Sequence, residues 1–343
     1  MDGIDIALLE TDGESFLRHG AWSSRPYPEK LRSALLRLTG DGEDLQPYER
    51  QVTDAHIECV ELFCRENNIN LAAIDCIGFH GQTIRHEPLK RRTVQLGDGA
   101  RMAQALSCLV VDRFRDNDLR QGGQGAPLVP AYHKALARSQ GLAEPVAILN
   151  IGGVSNVTWI HDDELHACDC GPGNALIDDW VSARCGLPYD ENGAIAARGR
   201  VDEEAVAALM KHPYFSISGA KSLDRNSFST ASLQRLSVED GASTLTAFSA
   251  EAVAAASKLL PAPPLEWIVV GGGRLNKTLL QMLQRRLRVP VRTAEDLGWA
   301  GDAIEAQAFA YLAVRSILGL PLSWPGTTGV PAPATGGVRH DPT

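Results

Sequence analysis

The sequence predicts an α/β protein of two domains. Strand-like apolar runs alternate with helical periodicity. Several of those runs end in glycine-rich turns, the usual place for ligands in α/β folds. At 343 residues the chain is long for a single core.

The elements follow in order. Ile4 to Glu10 reads as a strand, with Thr11-Asp12-Gly13 as its turn signal. Residues 15 to 45 are mixed and partly helical. From Pro47 to Asn67, Ile57, Val60 and Cys64 recur at helical spacing. Ala73 to Phe79 is a short apolar strand ending at His80-Gly-Gln-Thr83, and Thr93 to Leu96 is another, ending at Gly97-Asp98-Gly99. Leu109-Val-Val111 is a third, and the loop through Gly122-Gly-Gln-Gly-Ala-Pro127 marks a domain boundary. Val146 to Asn150 reads as a buried strand. A helix from Ala175 carries Leu176, Trp180 and Val181 on one face. Residues 201 to 260 are helix-rich, with loops at His212-Pro213 and Asp240-Gly241. Trp267 to Val270 reads as a central strand, followed by a helix burying Leu279, Leu283 and Leu287. A last helix starts near Asp302, aligning Ile304, Ala308 and Leu312, and after Gly329 the composition suggests a mobile tail.

Composition narrows the function. Hydrophobic residues at 44% and charged residues at 22% are ordinary for a globular protein. A formal charge of −9 argues against a nucleic-acid partner, which needs a basic surface. No charge-poor run is long enough for a membrane span. The acidic start Met1-Asp-Gly-Ile-Asp5 lacks the basic region of a signal peptide, so a cytoplasmic location is expected. Seven cysteines without a Cys-x-x-Cys pair fit reduced, mostly buried thiols; Cys168 and Cys170 fall short of the four ligands of a structural zinc site.

Three glycine turns carry the chemistry: Asn150-Ile-Gly-Gly-Val-Ser-Asn156, Cys168-Asp-Cys-Gly-Pro-Gly-Asn174 and Val269-Val-Gly-Gly-Gly-Arg-Leu-Asn276. Glycine lets backbone amides approach an anion, successive amides form a nest, and a following helix adds its positive end. A strand ending in Gly-Gly is often only a tight turn; three in one chain favour phosphate. Asn174 is suited to cap the next helix, and Asp178 falls in its first turn. There an acid serves the helix dipole, or it is a general base kept ionised by that dipole. Asp179 lies about 100° around the helix, so only one of the two should face a ligand.

The runs His80-Gly-Gln-Thr-Ile-Arg-His-Glu-Pro88, Thr93-Val-Gln-Leu-Gly97, Gly122-Gly-Gln-Gly-Ala-Pro-Leu-Val-Pro130 and the three glycine turns, in this order from residue 1 to about 330, resemble the anhydro-N-acetylmuramic acid kinase family. That is a sugar-kinase family of the acetate kinase/hexokinase/Hsp70/actin superfamily. The resemblance implies two ribonuclease-H-like (actin-like ATPase) lobes around a central cleft: residues 1–125, completed by a helix over 302–318, and residues 126–300 with the nucleotide loops, leaving 329–343 as the tail. It implies ATP and Mg²⁺, a small-molecule substrate (1,6-anhydro-N-acetylmuramic acid), and a product phosphorylated at O6 in peptidoglycan recycling. A homodimer stays open.

By motif, Asp178 is the catalytic base, activating a water that attacks the anomeric carbon. Gly152, Gly153, Ser155 and Asn156 match the second phosphate loop. Gly271, Gly272, Gly273 and Asn276 match the adenosine and ribose loop. Met1, Asp2, Gly3, Ile4 and Asp5 match the end of the first phosphate loop, with Asp2 a contact for Mg²⁺. Gln82, Thr93, Arg115 and Glu305 are assigned to the sugar side. His80 either joins them or is a buried, satisfied histidine, and Arg85, His86 and Glu87 read as a solvated rim. The family's first phosphate loop reads Gly-Thr-Ser-x-Asp-Gly after a β-strand, whereas this sequence begins at the x. The expectation is that the native chain starts upstream and Met1 is internal. A non-catalytic sugar- or nucleotide-binding protein on the same scaffold, or a carboxylate kinase, are the rival readings.

Overall fold

The computed structural model describes residues 3–217, 223 and 227–342. Met1 and Asp2 lie outside them. The chain forms two compact units, Met1–Gly141 with Asp302–Thr343, and Leu142–Gly301. The first unit thus runs past the boundary expected at residue 125.

The first unit opens with a hairpin of β1 (Gly3–Thr11) and β2 (Leu17–Pro26), paired antiparallel. The strand β2 lies in the stretch read as partly helical. Its polar residues alternate with half-buried ones, a period of two that a helical reading overlooks. Then come α1 (Glu29–Leu35) and α2 (Gln46–Glu66). The apolar run at 73–79 is mostly not strand: a 3-10 turn at Leu71–Ala73, capped by the Asn70 side chain, precedes β3, only Ile77–Gly78. A second hairpin pairs β4 (Gln82–Glu87) with β5 (Arg92–Leu96). After α3 (Gly99–Leu106), β6 (Val110–Asp112) pairs parallel with β3, and α4 (Asp116–Arg120) and α5 (Pro130–Ser139) follow.

The second unit is built on a five-stranded sheet. Its strands are β7 (Val146–Ile151), β8 (Val154–His161) and β9 (Glu164–Pro172), which meander antiparallel, and β10 (Glu266–Val270) and β11 (Val291–Thr293), which run parallel to β7. The order is β11-β10-β7-β8-β9. Strand β7 reads apolar throughout because it is central: Val146, Ala147, Ile148 and Leu149 are all fully buried. The helices are α6 (Ala175–Cys185), α7 (Glu203–Leu209), α8 (Val238–Ser257) and α9 (Lys277–Leu287). The Asp240-Gly241 loop is absent, because both residues lie in the first turn of α8 behind a Ser237 N-cap. Gly241 is required there by the Trp180 indole, which would collide with a Cβ.

The chain returns to the first unit with α10 (Ile304–Ile317) and α11 (Pro325–Thr328), and ends in β12 (Val338–His340). The expected mobile tail is therefore partly ordered. Strand β12 pairs antiparallel with β6, and the His340 ring meets the Asp112 carboxylate at 2.9 Å. Among the described residues the seven cysteines form no disulfide. Among the described residues no helix is long and apolar enough to cross a membrane.

Candidate active site

In the second unit the three glycine turns converge. The Gly173 N–H donates to the Gly153 carbonyl at 2.9 Å, and the Asn174 N–H to the Gly152 carbonyl at 2.7 Å. A Cβ on Gly173 would collide with the Gly152 carbonyl, and one on Gly271 with the Asn150 side chain. Gly271 also needs its φ of 73°. These glycines are explained by packing.

Gly152, Gly153 and Gly272 are not. None has a positive φ, and a Cβ there would meet nothing closer than 3.8, 3.5 and 3.8 Å. Neither strain nor crowding calls for glycine at these positions. Bare backbone beside open space is what the close approach of a phosphate requires.

Two sequence arguments change. The Gly152-Gly153 turn joins antiparallel β7 and β8, so no helix follows it in sequence; the helix start beside it is that of α6. Asn174 occupies the N-cap position of α6 but makes no side-chain cap, its backbone already being helical. Asp178 sits one turn in, its N–H donating to the Asn174 carbonyl at 2.9 Å. Asp178 is half-buried and Asp179 exposed, while Trp180 and Val181 enter the core.

Ser155 is fully buried and its hydroxyl donates to the Pro172 carbonyl at 3.2 Å, so its side chain holds two strands together. Asn156 is half-buried on β8. Asn276 caps α9, accepting from the Leu279 N–H at 2.9 Å. Its oxygen is therefore already committed. Arg274, which the sequence reading passed over, is buried; it pairs with Glu295 at 2.7 Å and donates to the Gly271 carbonyl at 3.0 Å, pinning the triple-glycine turn.

In the first unit, Gly3, Ile4, Asp5, His80, Gln82, Arg115 and Glu305 line one cavity of about 1010 Å³. The Ile4 side chain belongs to the core, leaving its backbone as the usable part. Thr93 does not line the cavity; its hydroxyl reaches only the Arg85 carbonyl, at 3.5 Å on β5.

Arg115 organises the polar end. Its guanidinium donates to the Gly125 carbonyl at 2.8 Å and to His80 Nε2 at 3.1 Å. Gln95 also reaches His80 Nε2, at 3.2 Å, while His80 Nδ1 faces the Gly81 carbonyl at 3.0 Å. This partner set fits a neutral ring with the proton on Nδ1. Burial, then the Arg115 charge, lowers the His80 pKa to about 3. Burial likewise lowers that of Arg115. Glu305 is open to the cavity, yet the surrounding protein raises its carboxyl above the ordinary range, with Arg115 opposing.

Several buried polar atoms here have no hydrogen-bond partner: Arg115 Nε, Gln95 Oε1, Thr83 Oγ1, His86 Nδ1 and Glu87 Oε2, the last facing the Arg92 guanidinium at 3.8 Å. His86 and Glu87 are thus half-buried and not a solvated rim; His86 Nε2 meets the Gln124 carbonyl at 2.8 Å. Gln95 was legible, being the polar residue of the Thr93-Val-Gln-Leu96 strand. Asp118 was not. Its buried carboxylate accepts from Gly125 N–H at 2.6 Å, Ser323 Oγ at 2.5 Å and Thr328 Oγ1 at 2.6 Å, fixing the loop that Arg115 grips. Among the described residues no group of three or more His, Cys, Asp or Glu could hold a metal ion.

By fold and site this is an α/β protein with amide-lined glycine turns gathered at a helix start, a class suited to anions. The family model for anhydro-N-acetylmuramic acid kinase matches residues 1–341. The protein of that name from Paramagnetospirillum magneticum is 50% identical, with 100% of this chain and 97% of the relative covered. That from Rhodopseudomonas palustris strain HaA2 is 49% identical, over 100% and 96%. The chain belongs to the anhydro-N-acetylmuramic acid kinase family.

Proposed function

We propose that this chain is an ATP-dependent kinase that opens 1,6-anhydro-N-acetylmuramic acid and phosphorylates O6, with Asp178 as its base. The family match over the whole chain supports the reaction. The observation that carries the residue assignment is the gathering of the glycine turns at the start of α6, one turn from Asp178.

In this reading Gly153 and Gly272 offer backbone N–H groups to the nucleotide's phosphates, Gly152, whose own N–H donates to the Val154 carbonyl at 3.1 Å, leaves them room, and Arg274 holds the third turn in place. Mg²⁺, when bound with the nucleotide, would neutralise phosphate charge, with Asp2 as its protein contact. Asp178 accepts a proton from a water whose oxygen bonds to the anomeric carbon. The bond from that carbon to O6 breaks, and O6 attacks the γ-phosphorus as ADP leaves. Arg115, Gln82 and Glu305 serve the sugar. His80 acts by orienting Arg115, since both its nitrogens are occupied.

Asp178→Asn tests the assignment. The variant should bind ATP like the parent and form phosphosugar, measured by mass spectrometry, at least about 100-fold more slowly. Unchanged turnover would remove Asp178 as the base. Tight sugar and ATP binding by the parent with no product would favour a non-catalytic binding protein.

A further inference from the structure

We propose that Asp118 is a positioning residue of the sugar site, and that the segment returning after α10 belongs to the site's machinery because it holds this carboxylate. This role deepens the proposed function and rests on its assignment of Arg115 to the sugar. The Gly122-Gly-Gln-Gly-Ala-Pro127 loop stands out in the sequence, and with the units dividing at Gly141 it is not a domain boundary. Its glycines answer to one buried anchor and one turn. A Cβ on Gly123 would collide with the Asp118 carboxylate. Gly125 needs its φ of 69°, and a Cβ there would run into Leu119.

The loop's N–H groups and its carbonyls go to different partners. The N–H groups are anchored. Gly123 donates to the Asp118 backbone carbonyl at 2.9 Å, Gln124 to the Thr328 carbonyl at 2.8 Å, and Gly125 to Asp118 Oδ1 at 2.6 Å. Two successive carbonyls face the site. That of Gln124 meets His86 Nε2 at 2.8 Å, and that of Gly125 accepts from Arg115 Nη1 at 2.8 Å. A carbonyl only accepts, so His86 Nε2 carries the proton. Burial, then the Arg115 charge, holds the His86 pKa below the usual histidine value, which leaves Nδ1 of the neutral ring an acceptor. Arg115 and His86 both line the cavity, and each keeps one buried atom without a hydrogen-bond partner, Nε and Nδ1. One donor and one acceptor therefore lie where the loop carbonyls put them.

The other carboxylate oxygen, Asp118 Oδ2, takes hydrogen bonds from Ser323 Oγ at 2.5 Å and Thr328 Oγ1 at 2.6 Å. Both hydroxyls come from the segment after α10, and all three residues are buried. That segment has fixings of its own. Ser323 bridges to Ala334, the Arg315 guanidinium of α10 lies 5.6 Å from the Trp324 ring, and Asn117, beside Asp118, donates to the Thr335 carbonyl at 2.7 Å. Removing the two hydroxyls would therefore leave the segment in place. It would strip Oδ2 of its donors and loosen the carboxylate that sets Gly125. A displacement of about 1 Å in a group that positions substrate costs on the order of 100-fold in rate, so slack at Gly125 reaches the sugar through Arg115.

Replacing the two hydroxyl donors tests the role without touching the cavity. Ser323→Ala with Thr328→Val is nearly isosteric, whereas Asp118→Ala would strand three donors in the core. The double variant should keep a cooperative melt and raise the KM for the anhydro sugar at least about 10-fold, with the KM for ATP unchanged. Ser323→Ala with Thr328→Ser keeps one hydroxyl and should recover most of the loss. The Arg115 Nε–H resonance, identified by its disappearance in Arg115→Met, should shift in the first pair and return in the second. An unchanged sugar KM, an unmoved resonance, an equal rise in the KM for ATP, or no recovery with serine would each overturn the positioning role. Arg115→Met shows which part has failed. If it raises the sugar KM while the double variant does not, the positioning role alone falls. If it leaves the sugar KM unchanged, the assignment of Arg115 to the sugar falls, and the positioning role with it.

Discussion

The two units expose polar groups of opposite kinds. The first offers side chains: Arg115, Thr83 and His86 keep buried polar atoms without hydrogen-bond partners around one cavity. The second offers backbone, with glycines at 152, 153 and 272 that no packing demands. Unpartnered buried groups are costly, and a site that retains them recognises what completes them. Bare amides cost little and recognise any phosphate of suitable shape.

Arg115→Met should break the comparison on the side-chain side. We expect kcat/KM for the anhydro sugar to fall by ~100-fold with nucleotide affinity unchanged, as for a lost charged hydrogen-bonding centre. Steady-state kinetics beside nucleotide titration would show it. Gly272→Ala should do the reverse, weakening ATP by ~10-fold while the melting temperature holds. Its control is Gly173→Ala, where the Gly152 carbonyl blocks the new methyl and melting temperature should drop.

Acid stability sharpens the contrast in another way. Burial lowers His133 and His80 to about 3 and His56 to about 4, against 6.5 when unfolded. Below pH 6.5 the unfolded chain binds protons that the folded one refuses. The contribution is complete above 6.5 and is lost as pH falls toward 3–4. For fully buried His133 the slope is about 1.4 kcal/mol per pH unit, and His133→Gln should remove it from urea titrations taken between pH 7 and 5. Ser155→Ala should have the smallest effect, about 1 kcal/mol of stability, with ATP affinity kept. A large affinity loss would return the hydroxyl to the phosphate site.

The sequence showed the glycine turns because their residue types are distinctive and local. It could not show that Gly173 is needed for packing and Gly272 is not, since that depends on what lies across the fold. Strands β8 and β9 escaped for a related reason. Their mixed residues, such as Thr158 and His166, become a meander only when β7 provides the edge. Asp118 has no local signature; its three partners include two from beyond residue 320. The tail looked disordered by composition, yet three residues at its end complete a sheet through β6.

The chain leaves the first unit at Gly141 and returns only at Asp302. On the ribosome, the whole second unit is therefore synthesised before α10 exists to cover β1 and β3. Nascent residues 3–141 keep those surfaces uncovered until α10 is made, an interval in which exposed apolar strands favour aggregation.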